Sequence, residues 1–139
     1  MISPAMWREF FKDGYAALFR EIHSLGMDAF LHSCGNVTAI VEDLIELGLD
    51  VLDPVQTSAM NLDELARRFG GRISFCGTID VQDLLPRARP SEVKDFIRRA
   101  RDTLGRPFGN GLILAPTNTI TPETPLENLQ AMFEACHEA

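Results

Sequence analysis

Apolar residues at Phe10, Phe11, Tyr15, Leu18, Phe19 and Ile22 recur at helical spacing, which predicts one long amphipathic helix. Ser3 followed by Pro4 supplies its N-cap and first turn, and Gly26 ends it. Asp28 to His32 then reads as a buried strand, and Val37, Ile40, Val41, Leu44, Ile45 and Leu47 as a second helix closed by Gly48. The pattern returns at once. Leu49 to Asp53 is a strand, and Asn61-Leu62-Asp63-Glu64 opens a helix that stops at Gly70-Gly71. Arg72 to Cys76 is the third strand, followed by a short helix near Val81 to Leu85 and a longer one from Pro90 to Leu104. Leu112 to Ala115 is the fourth strand, and Pro125 stands in the first turn of a final helix, Leu126 to Ala135.

Strands and helices that alternate over short connections imply an α/β fold with a parallel sheet and right-handed crossovers. No Gly-x-Gly-x-x-Gly follows a strand, so a nucleotide-binding doubly wound sheet would lack its phosphate cradle. A (β/α)8 barrel of the TIM type is favoured. Such a barrel takes roughly 250 residues, and this chain has 139. Residues 1–139 are therefore expected to form one partial domain, a half-barrel of about four βα units. Half a barrel has two unpaired strand edges and an inner face, expected to carry Leu31, Val51, Leu52, Ile73, Phe75, Ile113 and Leu114. A second copy or a complementary half-barrel is expected to cover it.

The apolar fraction of 45% is ample for a core. With 13 basic against 20 acidic residues, a net charge of −7 and a pI near 4.9, there is no basic face for nucleic acid or an anionic membrane. Three cysteines without close spacing argue against a secreted disulfide framework and for a reducing compartment, the cytoplasm. No apolar run reaches membrane-spanning length and no signal-peptide layout opens the chain, so it is expected to be neither inserted nor exported.

The residues that suit core packing least follow the strands: His32 and Cys34, Asp53 to Gln56, Cys76 to Asp80, and Pro116 to Thr119. Parallel α/β folds place their chemistry at that edge of the sheet, so one site could collect all four groups. His32 and Cys34, two apart where a strand ends, point to the same side and could form half of a soft-metal site. The same pair could be a satisfied polar group beside a small buried thiol. Cys76 fits core filling better than chemistry. Asp53 before Pro54 could fix a turn, and Asp80 could cap the next helix. His23, Cys136 and His137 lie on helices and read as packing or solvent-facing residues. The arginines at 87, 89, 98, 99 and 101 read as a solvated face.

Four segments carry a more specific signal: Leu31-His32-Ser33-Cys34-Gly35-Asn36; Gly48 through Gln56; Gly77-Thr78-Ile79-Asp80; and Ile113 to Pro116 continuing through Pro122 to Asn128. In these the chain resembles the uroporphyrinogen decarboxylase family, which includes cobalamin-dependent methyltransferases on the same barrel. The resemblance covers nearly the whole chain, as the C-terminal part of that fold.

In the methyltransferase branch, the resemblance implies, His32 and Cys34 bind zinc, and the zinc holds a substrate thiol for methyl transfer to or from cobalamin on a partner protein. The branch's third ligand, a distant cysteine, would fall at Asn118. The decarboxylase branch has a histidine in a Gly-His-Gly stretch there, whereas this chain reads Thr117-Asn118-Thr119. The His-Ser-Cys-Gly segment tips the balance toward the methyltransferases. On this reading Asp80 and Asn118 are the catalytic candidates, and Asp53, Gln56 and Cys76 face a small-molecule substrate. Two alternatives stand beside it: a porphyrinogen carboxy-lyase working without metal, and a non-catalytic half-barrel or binding module.

Overall fold

The computed structural model describes residues 2–109 and 111–138. Its order is α1 (Pro4–Phe10), α2 (Lys12–Ser24), β1 (Phe30–His32), α3 (Val41–Glu46), β2 (Val51–Val55), α4 (Leu62–Phe69), β3 (Ser74–Ile79), α5 (Leu84–Arg87), α6 (Pro90–Ala100), β4 (Leu112–Pro116) and α7 (Leu126–His137). The strands form one sheet in the order β1-β2-β3-β4, and all three pairings are parallel. Each strand thus neighbours the next in sequence, the progression of an arc of a (β/α) barrel. The four-unit expectation holds.

Register sorts the strand residues into two faces. Leu31, Leu52, Phe75 and Leu112 stand level across the sheet and pack into the apolar core that includes Phe19, Leu44, Leu65, Phe69 and Leu104. A second cluster joins Ile79 and Leu114 to Leu85, Val93, Ile97, Ala131 and Met132 on α5, α6 and α7. The other face carries Phe30, Val51, Ser74, Cys76 and Ile113, with Phe30 53% and Ile113 49% exposed. This corrects the expected inner face. Because successive strand residues point to opposite sides, Leu31, Leu52, Phe75 and Leu114 belong to the helix-covered side. Ile73 precedes β3 and is buried in the same core.

Several boundaries also shift. The expected long N-terminal helix breaks at Phe11 (φ −123°), although no proline or glycine stands there. The reason is tertiary: the break brings Arg8 and Lys12 onto one carboxylate, Asp43, at 2.8 and 2.7 Å. The second helix starts with a 3-10 turn, Thr38–Ile40, and the expected end of α6 is a π-helical turn, Arg101–Gly105. β3 runs on to Ile79, because its backbone pairs with β4 through Ile79↔Pro116. Gly77 (φ +91°) lies against the cis Asp53–Pro54 peptide, where a Cβ would come within 3.1 Å of Pro54, so glycine is the residue that fits. Cys76 is therefore inside a strand, not at its end.

Asp43 gives the first expected result. Hydrogen bonds from Arg8 and Lys12 hold its carboxyl at about 2, below the ordinary 3.8. A depressed folded-state value contributes stability that is present above the unfolded value and lost as pH falls toward 2. Acidification through that window should detach α1 and α2 from α3, read by fluorescence of Trp7, the single tryptophan. Asp43→Asn should lose the clamp already at neutral pH, costing about 2 kcal/mol, kept small because Arg8 is half exposed. An unchanged acid profile in Asp43→Asn would remove the clamp.

Candidate active site

β1 ends in His32, level with Asp53 of β2, so their side chains leave the same face of the sheet. Asp53 Oδ2 is 2.5 Å from His32 Nδ1, and the carboxylate is largely covered, its side chain 15% exposed. The opposite ring nitrogen, Nε2, lies 3.3 Å from Cys34 Sγ. The chain bends back here because Gly35 takes φ +85° and its N–H donates to Gln56 Oε1 at 2.8 Å. A carboxylate, an imidazole and an exposed thiol thus stand in a row.

The row continues inward. Cys76 is buried; burial first, and the Asp53 carboxylate second, push its thiol up to about 11. It stays protonated at neutral pH. Asp80 does cap: its Oδ2 accepts from the N–H groups of Asp83 (2.7 Å) and Leu84 (3.1 Å), starting α5 later than the expected Val81. Among the described residues, its other oxygen and the hydroxyl of Thr78, a buried residue with φ +83°, have no hydrogen-bond partner. Thr78 lies in the Cys76 to Asp80 group singled out from the sequence but was given no role of its own there; its left-handed backbone is a tertiary feature that no local pattern announces.

Asn118 follows β4, and its Oδ1 accepts from the N–H of Thr119 at 2.7 Å. With Cys34, Gln56, Val81, Gln82 and Thr117 it lines a cleft of about 200 Å³ at the same edge of the sheet. The fold thus brings together His32, Cys34, Asp53 and Cys76 in one row, and Cys34, Gln56 and Asn118 around one cleft. His23 lies apart, paired with Asp50 at 2.7 Å. Three arginines of the face read as solvated are engaged in ion pairs, Arg89 with Glu92, Arg98 with Glu138 and Arg99 with Asp63.

The His32–Cys34 pair suits a metal. Bond lengths of about 2.05 Å to nitrogen and 2.3 Å to sulfur place two donors of a tetrahedral zinc about 3.5 Å apart, close to the 3.3 Å seen. Asp53 behind Nδ1 fixes the tautomer that leaves Nε2 free, the arrangement metal-binding histidines use. Among the described residues, no third His, Cys, Asp or Glu completes a group able to hold a metal ion. Cys34 and Cys76 should differ sharply toward a thiol reagent. Cys34, exposed, is expected to label within the native protein, and Cys76 only on unfolding. Mass mapping of a brief reaction with a disulfide reagent checks this; equal labelling would contradict the buried placement.

Residues 1–139 match the uroporphyrinogen decarboxylase (URO-D) family throughout. The chain belongs to that family. Similar sequences include the methylated-thiol–coenzyme M methyltransferase of Methanosarcina mazei, 27% identical over 142 residues, covering 99% of this chain and 34% of the relative. The methylcobamide:CoM methyltransferase MtaA of Methanosarcina barkeri is 28% identical over 138 residues, covering 99% of this chain and 38% of the relative. A solved methyltransferase from Methanosarcina mazei superposes with a TM-score of 0.76 at 26% identity, over 97% of this chain and 37% of that one. The URO-D-family chain thus spans little more than a third of these proteins, and its fold is a partial barrel. Among its described residues no helix is long and apolar enough to cross a membrane.

Proposed function

We propose that this URO-D-family domain belongs to the corrinoid-linked methyltransferase branch, moving a methyl group between a small thiol or thioether and cobalamin carried by a partner protein. The observation that carries the reading is the 3.3 Å approach of Cys34 Sγ to His32 Nε2, with Asp53 behind the ring. The similar sequences support it, since those named are methyltransferases and not carboxy-lyases. His32 and Cys34 would hold zinc, which when bound lowers the pKa of a substrate thiol so that it reacts as thiolate near neutral pH.

This chain's own residues do the rest. Asp53 keeps the Nδ1 proton of His32 and thereby aims Nε2 outward; Cys76, on the neighbouring strand β3, stays a protonated thiol. Asn118 stands where the resemblance implies a third ligand, so fewer positions are taken by protein and more are left for substrate or water. Asp80, one oxygen committed to α5, keeps the turn after β3 in place beside the cleft. The open face of the sheet, carrying Phe30 and Ile113, would be covered by a second copy or by complementary barrel strands.

The test is zinc analysis after dialysis of the purified chain against zinc-containing, chelator-free buffer, followed by spectroscopy with methylcobalamin and a thiol. One zinc per chain and thiol-dependent loss of the methylcobalamin spectrum are expected. A chain that keeps no zinc would sink this reading.

A further inference from the structure

Three side-chain amides line the cleft beside Cys34, Gln56, Gln82 and Asn118, and two of them, Gln56 and Asn118, have their oxygen tied. A backbone N–H only donates, so the group facing the N–H of Gly35 is Gln56 Oε1 (2.8 Å), and the one facing the N–H of Thr119 is Asn118 Oδ1 (2.7 Å). This fixes both amide orientations. What each has left is its NH2 group, and neither nitrogen has a hydrogen-bond partner among the described residues. The cleft of about 200 Å³ that the two share with Cys34 is thus supplied with donors. None of the described residues that line it carries a charge, and the acidic residues Asp53, inside β2, and Asp80, just after β3, precede its lining residues Gln56 and Val81 in the chain. An anionic tail would find no cation there. The space suits about seven waters, hence a group of a few heavy atoms.

We propose that the cleft recognises an uncharged oxygen acceptor, the carbonyl of an amide, on a small thiol or thioether, with Gln56 Nε2 and Asn118 Nδ2 donating to it. The sulfur of the same molecule then lies on the Cys34 side of the cleft, toward the His32–Cys34 pair. The proposal rests on the methyltransferase reading for the sulfur end and on the two tied amides for the oxygen end. It makes Asn118 a specificity residue: an amide whose free end is a donor turned to the substrate's tail.

The experiment titrates the 15N-labelled chain, zinc-loaded and zinc-free, with three thiols: N-acetylcysteamine, which ends in an amide; mercaptoethanesulfonate, which ends in an anion; and propanethiol, which ends in neither. Two good hydrogen bonds predict about tenfold tighter binding of the amide thiol than of propanethiol, with the side-chain NH2 resonances of Gln56 and Asn118 shifting and the sulfonate thiol no better than propanethiol. Asn118→Asp and Gln56→Glu, which exchange donors for acceptors at constant shape, should each remove most of the advantage. Equal binding of all three thiols, a preference for the sulfonate, or unmoved NH2 resonances would overturn the proposal. The wild-type series decides even if a variant fails to fold. Zinc is assayed separately. A chain that takes up no zinc yet prefers the amide tail would count against the metal reading alone, whereas a zinc-loaded chain without that preference would count against the cleft alone.

Discussion

His32→Ala and Cys34→Ser are each expected to abolish stoichiometric zinc binding, the largest effect on any measured property of this site. Among the described residues, the pair contributes the only convergent nitrogen and sulfur donors at the strand ends, 3.3 Å apart. Removing either leaves a single protein ligand, and a single ligand does not outcompete water and buffer. Asp53→Asn should be milder, about 10–100-fold weaker, because outer partners orient a ligand without donating to the metal. Cys76→Ser should leave affinity nearly unchanged, since its thiol is buried and protonated at neutral pH. The order His32 and Cys34 first, Asp53 second, Cys76 last is what competition against a zinc-sensitive dye would measure. Zinc retained in the His32→Ala protein would place the metal elsewhere or nowhere specific.

Much of this site was readable in advance because it depends on local spacing. A His-x-Cys at a strand end suggests convergence by the two-residue repeat of extended backbone; the structure places Nε2 and Sγ 3.3 Å apart, with Cys34 two residues past the end of β1, just before the bend at Gly35. Asp53 was visible only as an acid before a proline; its pairing with His32 depends on the β1–β2 register, which local sequence does not carry. The fold shows the same division. Alternating strands and helices imply parallel order, and the order β1-β2-β3-β4 follows from short crossovers. The break at Phe11 was hidden, because its cause is Asp43 more than thirty residues away. The two faces of the sheet were blurred for another reason. β2 and β3 are apolar on both sides, Val51 beside Leu52 and Phe75 beside Cys76, so hydrophobicity alone did not tell helix side from open side.

That open side leads to the second large effect: the purified chain is expected to self-associate. A TIM-type barrel closes with eight strands, and the described residues form four, with β1 and β4 each paired on one edge only among them. Phe30 and Ile113, both about half exposed, stand on the uncovered face at the two flanks of the sheet. Apolar surface left in water costs about 25 cal/mol per Å², and unpaired edges add backbone groups that seek partners. A two-fold axis along the barrel would set β4 of one copy beside β1 of the other, parallel, at both seams at once, giving eight strands and two strand-end sites. Light scattering should report twice the chain mass. The double variant Phe30→Glu, Ile113→Lys should shift the protein toward monomer or toward lower solubility, because charges would line the face that pairing must bury. A wild-type chain that stays monomeric at high concentration and unfolds cooperatively would show that four strands and their helices cover their own core well enough to stand alone.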